Sequence, residues 1–209
     1  MLRKQKWRNC EMIKLKLSKV QALHPRMNQP YRFDKYEQRS VPCDHRDDGA
    51  SYSLQMIVTK EHEAQIKKVC QQAFKELRAN NDRAPDKPDF LPYKTNDNDE
   101  IVVKAKLPCF SAKKKKNIEP PRHYDMKNKV LPEGFELTNG STINVALVAN
   151  GYVSPVGSGI TLYIDAVQVV ELAERSGPSP FEAGDGFTAG DDKPAENKTD
   201  SPFDDDIPF

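Results

Sequence analysis

The chain has no long apolar run. In 209 residues nothing approaches the length of a membrane span or a secretory leader, so the expected location is the cytoplasm, with no membrane partner. Paired cysteines are missing too. Cys10, Cys43, Cys70 and Cys109 are scattered without a CxxC spacing, which argues against a disulfide framework and for reduced thiols. Cys43 with His45, and Cys109 with His123, are the combinations that could assemble around zinc, but they lack the paired spacing of structural sites, and no metal is expected. Catalytic signatures are equally scarce: no GxSxG, no phosphate-binding Walker loop, no HExxH. The four histidines, His24, His45, His62 and His123, fall in unrelated contexts. The acids a two-metal nuclease would draw on are Asp44, Asp47, Asp48, Asp97, Asp99 and Asp125. Most of these sit in loops beside Asn, Gly or Pro, where Asp serves turns. Neither an enzyme nor a cofactor is expected. No zinc-finger spacing or pair of recognition helices supports duplex reading.

What is present is a charge asymmetry hidden inside a total of +1. From Ser176 onward nine acids face two lysines, a net of −7, so the residues before it carry +8. A basic body with an acidic tail fits a body that meets a polyanion and a tail that meets something else, or the body itself. The tail ends SPFDDDIPF. Ile207 and Phe209 at a free terminus beside Asp204, Asp205 and Asp206 read as a plug for a pocket that is apolar in the middle and basic at its rim. Between Glu174 and that tip the chain is rich in Gly, Pro, Asp and Ser without periodicity, and is expected to be disordered.

Ahead of the tail the periodicity is mostly that of strands. In MIKLKLSKV (12–20), Ile13, Leu15 and Leu17 alternate with Lys14, Lys16 and Ser18. The first eleven residues are basic, lack a period, and read as an extension. Residues 24–50, with YRFDKY inside, read as a long loop. SYSLQMIVTK (51–60) places Tyr52, Leu54, Met56 and Val58 on one face. Lys60 to Leu77 then switches to helical spacing, with Ala64, Val69, Cys70, Ala73, Phe74 and Leu77 as the apolar stripe and Thr59 as N-cap. After a Pro- and Asp-rich linker come IVVKAKLPCF (101–110), a basic loop, and two β-rich segments, 141–152 and 159–172, joined by VSPVGS as a hairpin. About five strands with one helix after the second predict a mainly β fold: a five-stranded OB barrel with an inserted helix, long loops and a disordered acidic C-terminal tail. Another small α+β arrangement fits the same pattern.

The basic residues cluster with aromatics. Lys104 and Lys106 share a strand face; Lys113, Lys114, Lys115 and Lys116 form a run; Arg122 follows. Tyr31, Phe33, Tyr93 and Tyr124 lie among them in sequence. Single-stranded nucleic acid needs both elements, cations for phosphates and rings for unstacked bases. Solvated lysines and core aromatics account for the same residues.

Two resemblances bear on this choice. Asp204-Asp205-Asp206-Ile207-Pro208-Phe209 resembles the C-terminal tip of bacterial single-stranded DNA-binding proteins, which docks into basic, apolar pockets of replication and repair proteins. The body, through LTNGSTINVALVANGY, GITLYIDAVQVVELAE and YSLQMIVTKEHEAQIKKV, is similar to the single-stranded DNA-binding proteins of tailed phages, small OB-fold proteins with acidic tails. The resemblance implies three parts: a basic extension (1–11), an OB-fold single-stranded DNA-binding domain (12–174), and an acidic tail (175–209) whose tip, 204–209, binds proteins. It implies sequence-nonspecific binding in phage DNA replication, recombination or repair, in the host cytoplasm, with a homo-oligomer, a dimer favoured. The tail would recruit replication proteins and compete with DNA for the basic groove. The rival expectation is an adaptor that recruits host factors through its tip without physiological DNA binding.

Overall fold

Alternation in the sequence becomes barrel wall in the structure. The computed structural model describes residues 13–111, 116–132 and 134–174; the extension, Lys113 to Lys115 and the tail with its tip lie outside the described residues. The elements are β1 (Ile13–Asp34), β2 (Arg39–Pro42), β3 (Ser51–Val58), α1 (Lys60–Asn80), β4 (Tyr93–Thr95), β5 (Ile101–Pro108), β6 (Phe110–Ser111), β7 (Lys116–Asn117), β8 (Arg122–Tyr124), β9 (Thr142–Ser154) and β10 (Gly157–Glu171). Five strands run in the order β5-β3-β1-β9-β10, and a parallel contact from β10 back to β5 closes them into a barrel. That circuit, with its first strand shared between the second and fourth, is an OB barrel.

The inward faces are the ones the period of two predicts. Ile13, Leu15 and Leu17 on β1 and Tyr52, Leu54, Met56 and Val58 on β3 are buried. Leu17, Leu54, Met56, Val103, Ile143, Val145, Leu147, Leu162 and Val167 are each at most 2% exposed, and they form one continuous core. The 141–172 region forms the expected hairpin, turning at Pro155 and Val156 between the paired Ser154 and Gly157.

One expectation fails early in the chain. Residues 24–50 are not a single loop: β1 continues through Pro25 and Pro30 to Asp34, and β2 returns along it with Tyr31 opposite Pro42 and Phe33 opposite Ser40. Irregularities between Leu17 and Val20, and again beyond Leu23, let one strand bend to pair with β9 first and β3 later. Prolines fit because these shifts free their missing donors from the ladder.

The helix begins as expected: Thr59 Oγ1 accepts the His62 N–H at 3.4 Å, with Glu61 and Glu63 in the first turn. It runs one turn past Leu77, and its buried face is Ile66, Cys70, Ala73 and Phe74. Ala64 is exposed; Ile66, one helical turn before Cys70, takes its place in the stripe. The helix lies on β9 and β1 at Gly151, where a Cβ would stand 2.9 Å from Leu77 Cβ and 3.2 Å from the Ala73 carbonyl. Beyond it the 81–92 connection is tied to the hairpin by Asp89, which accepts the Ser158 N–H at 2.7 Å and the Ser158 hydroxyl at 3.1 Å; these bonds lower its pKa.

Gly151→Ala should therefore destabilise the protein by about 1–3 kcal/mol, because helix backbone cannot retreat without loosening the face it packs. Urea unfolding with an unchanged m-value checks this.

Candidate nucleic-acid interface

The barrel's second and third strands, β3 and β5, present their outward residues to one groove of about 410 Å³. Since Leu54 and Ala105 point inward, Ser53, Gln55, Lys104 and Lys106 must point out; Gln55 pairs with Lys104 and Ser53 with Lys106. The β1–β2 hairpin supplies Tyr31, Arg32 and Phe33 to the same groove. Arg26 stands over the Tyr31 ring at 4.3 Å, holding its plane by a cation–π contact. Phe33 is 60% exposed, and Tyr36 at the hairpin tip is 99% exposed. Four residues expected at the site, Tyr31, Phe33, Lys104 and Lys106, thus share one groove.

A second groove, about 680 Å³, opens further along the β5–β10 seam and brings Lys116, Arg122 and Tyr124 together. Arg122 pairs with Glu119 at 2.8 Å, both ends well exposed. Glu119 first, then the Tyr124 hydroxyl, raises the Arg122 pKa, and Arg122 in turn lowers that of Glu119. An exposed pair of this kind is weak and exchanges readily for a phosphate.

Tyr93 stands apart. On β4 it pairs with Val103 of β5, lies half-buried against the core beside Lys67 and Cys70, and burial raises its pKa. The structure does not bring it to the groove of Tyr31 and Phe33.

Several groove residues escape a sequence reading. Ser51, Ser53 and Gln55 follow from the alternation of β3, whereas Arg26 and Arg32 sit in the segment read as loop.

No cluster of three His, Cys, Asp or Glu side chains that could hold a metal occurs among the described residues. Burial pushes the Cys70 thiol up to about 12; burial, with the Cys43 thiol adding to it, pushes Cys109 up to about 11, so both stay protonated and unreactive near neutrality. No helix is long and apolar enough to cross a membrane, among the described residues.

The comparisons with known proteins agree with this geometry at the level of fold. No family model matches the chain, and no curated protein matches it by sequence. Among solved structures, the single-stranded DNA-binding protein from bacteriophage Enc34, in complex with ssDNA, aligns at a TM-score of 0.58 over 77% of this chain and 88% of that one, at 16% identity. Gp2.5, a single-stranded DNA-binding protein encoded by bacteriophage T7, aligns at 0.55 over 82% and 98%, at 18% identity. The chain has the fold of these phage proteins.

His123 on β8 is 9% exposed, and its Nε2 has no hydrogen-bond partner among the described residues. Burial lowers its pKa below the usual 6.5, so the unfolded chain takes up the proton first. The stability His123 contributes is present above pH 6.5 and is lost as pH falls below it. Unfolding free energy should drop between pH 7 and 5, and His123→Phe should flatten that slope; an unchanged slope in the variant would exclude His123 as its source.

Proposed function

We propose that this protein binds single-stranded DNA without sequence preference in phage DNA replication, recombination or repair. The observation that carries the reading is the groove over β3 and β5, where Tyr31 and Phe33 face Lys104 and Lys106, the surface on which OB barrels take oligonucleotides. Rings stack on any base and lysines meet any phosphate, so such a groove grips a strand without reading it. Lys116, Arg122 and Tyr124 extend the grip along the seam, and Lys113 to Lys115 add charge beside it in sequence. The Enc34 protein, solved with ssDNA on this fold, supports the assignment. The body acts by binding and needs no catalysis.

The tail has two roles in this proposal. Its net −7 competes with DNA for the basic groove, and its tip, Asp204 to Phe209, recruits replication or repair proteins of the host cytoplasm once DNA has displaced it. Tethering makes even a weak contact compete, because the local concentration is on the order of millimolar. The working form is a homo-oligomer, a dimer favoured, as the phage resemblance implies.

Two experiments test this. Phe33→Ala and Tyr31→Ala should each weaken oligo-dT binding by about 1–3 kcal/mol, roughly five- to 150-fold in Kd, while Tyr93→Ala changes stability more than affinity. Wild-type affinity in both groove variants would favour the adaptor, which has no use for rings beside its lysines. Removing residues 201–209 should tighten binding at low salt and abolish capture of replication proteins. Unchanged affinity would end the competition role, and retained capture the recruiting role.

A further inference from the structure

We propose that the bound strand does not stop at the β5–β10 seam but continues past Tyr124 onto the outer face of β1, β9 and β10, a second nucleic-acid subsite on the same barrel. This rests on the reading that the first groove takes single-stranded DNA.

The register builds the subsite. Lys16 lies opposite Ala146, Ala146 opposite Ala166, and Ala166 opposite Arg122. The row therefore has two alanines in the middle and a cation at each end. Val145 and Val167 are buried, so Ala146 and Ala166 face outward, and their small side chains leave a trough of about 370 Å³. Tyr124 lines this trough and also the seam groove that holds Lys116 and Arg122. One half-buried ring thus stands where the two meet, placed to stack a base as a strand crosses.

The next row explains why the subsite would be indifferent to sequence. Asn144 lies opposite Gln168, and Gln168 opposite Tyr124. Asn144 Nδ2 donates to Gln168 Oε1 at 2.8 Å, and its Oδ1 accepts the Lys19 N–H at 2.9 Å. Gln168 Nε2 donates to Asn128 Oδ1 at 2.9 Å and to the Asp125 carbonyl at 3.1 Å. These bonds pin the turn after Tyr124 and engage the amides that would otherwise read base edges. Among the described residues no acid lines the trough; Asp165 lines the seam groove with Arg122. Lys14 and Lys16 are exposed and make no ion pair among the described residues. A wall of free lysine, a flat apolar floor and a ring at the entrance match the phosphate and the faces of sugar and base, with nothing that selects among bases.

The test uses the full chain, with Lys16→Glu to reverse the wall's charge and Ala146→Phe to fill the trough without changing charge. Each is titrated with oligo-dT of about 6 and about 24 nucleotides, a span that brackets the footprints of OB domains. The wild type should bind the long strand more tightly and with a larger occluded site. Both variants should keep the short-strand Kd within about twofold, lose about tenfold on the long strand, and occlude fewer nucleotides. Lys16→Glu should also reduce the log–log salt slope by about 0.7. Long-strand affinity and site size equal to wild type, or equal weakening on both lengths, would overturn the subsite while leaving the first groove standing. Failure of the wild type to bind either length would overturn the underlying reading as well.

Discussion

The barrel closes through two residue pairs, Leu162 with Ala105 and Tyr163 with Lys106, and both the fold and its grooves depend on that brief parallel contact. Leu162 and Ala105 point into the core, which fixes Tyr163 and Lys106 on the outside. Closure removes the exposed edges that an open five-stranded sheet would present for aggregation. Because β5 and β10 pair so briefly, the wall opens on either side of the contact. The hairpin of β1 and β2 flanks one opening, and the short β8 flanks the other, paired in parallel with β10 from Ala166 to Gln168.

Closure also dictates the shape of β1. One strand must pair with β9 through Gln21 and with β3 from Gln21 onward, so it cannot stay straight. Lys19 and His24 adopt left-handed φ values of 54° and 44°, and the Asn144 and Asn139 side chains accept their N–H groups. Strain of about 1–3 kcal/mol at such positions persists only where surroundings hold it. Its consequence is geometric: the strand emerges from the bend carrying Arg26, Tyr31 and Phe33 to the groove above Lys104 and Lys106. Cations on strands and rings on a hairpin then face one another across a polar floor of Ser53 and Gln55.

The sequence disclosed whatever depends on period. Lys104 and Lys106 could be placed outward because Val103 and Ala105 had to be inward, and the 141–172 hairpin, the Thr59 cap and the five-strand count followed from the same kind of evidence. It did not disclose the second half of β1. There two prolines and successive register shifts break the alternation, and pairing comes from strands distant in the chain. Arg26 was hidden with it. Tyr93 shows the opposite limit: beside a lysine in sequence it resembles a stacking ring, but its pairing with Val103 turns it toward the core. The short strands β4 and β8 have no pattern of their own and exist because β5 and β10 offer them an edge, while the equally short β6 and β7 pair with each other in a separate two-stranded sheet.

The most direct measurement is a titration of fluorescently labelled oligo-dT, and of a matched duplex, across a salt series. Arg26, Arg32, Lys104, Lys106, Lys116 and Arg122 line the two openings of the seam. If each neutralises a phosphate, single-strand affinity falls with salt at a log–log slope of about −4. Tight, salt-dependent binding to the single strand with much weaker binding to the duplex is the predicted result. Equal affinity for both, or none for either, would contradict the account.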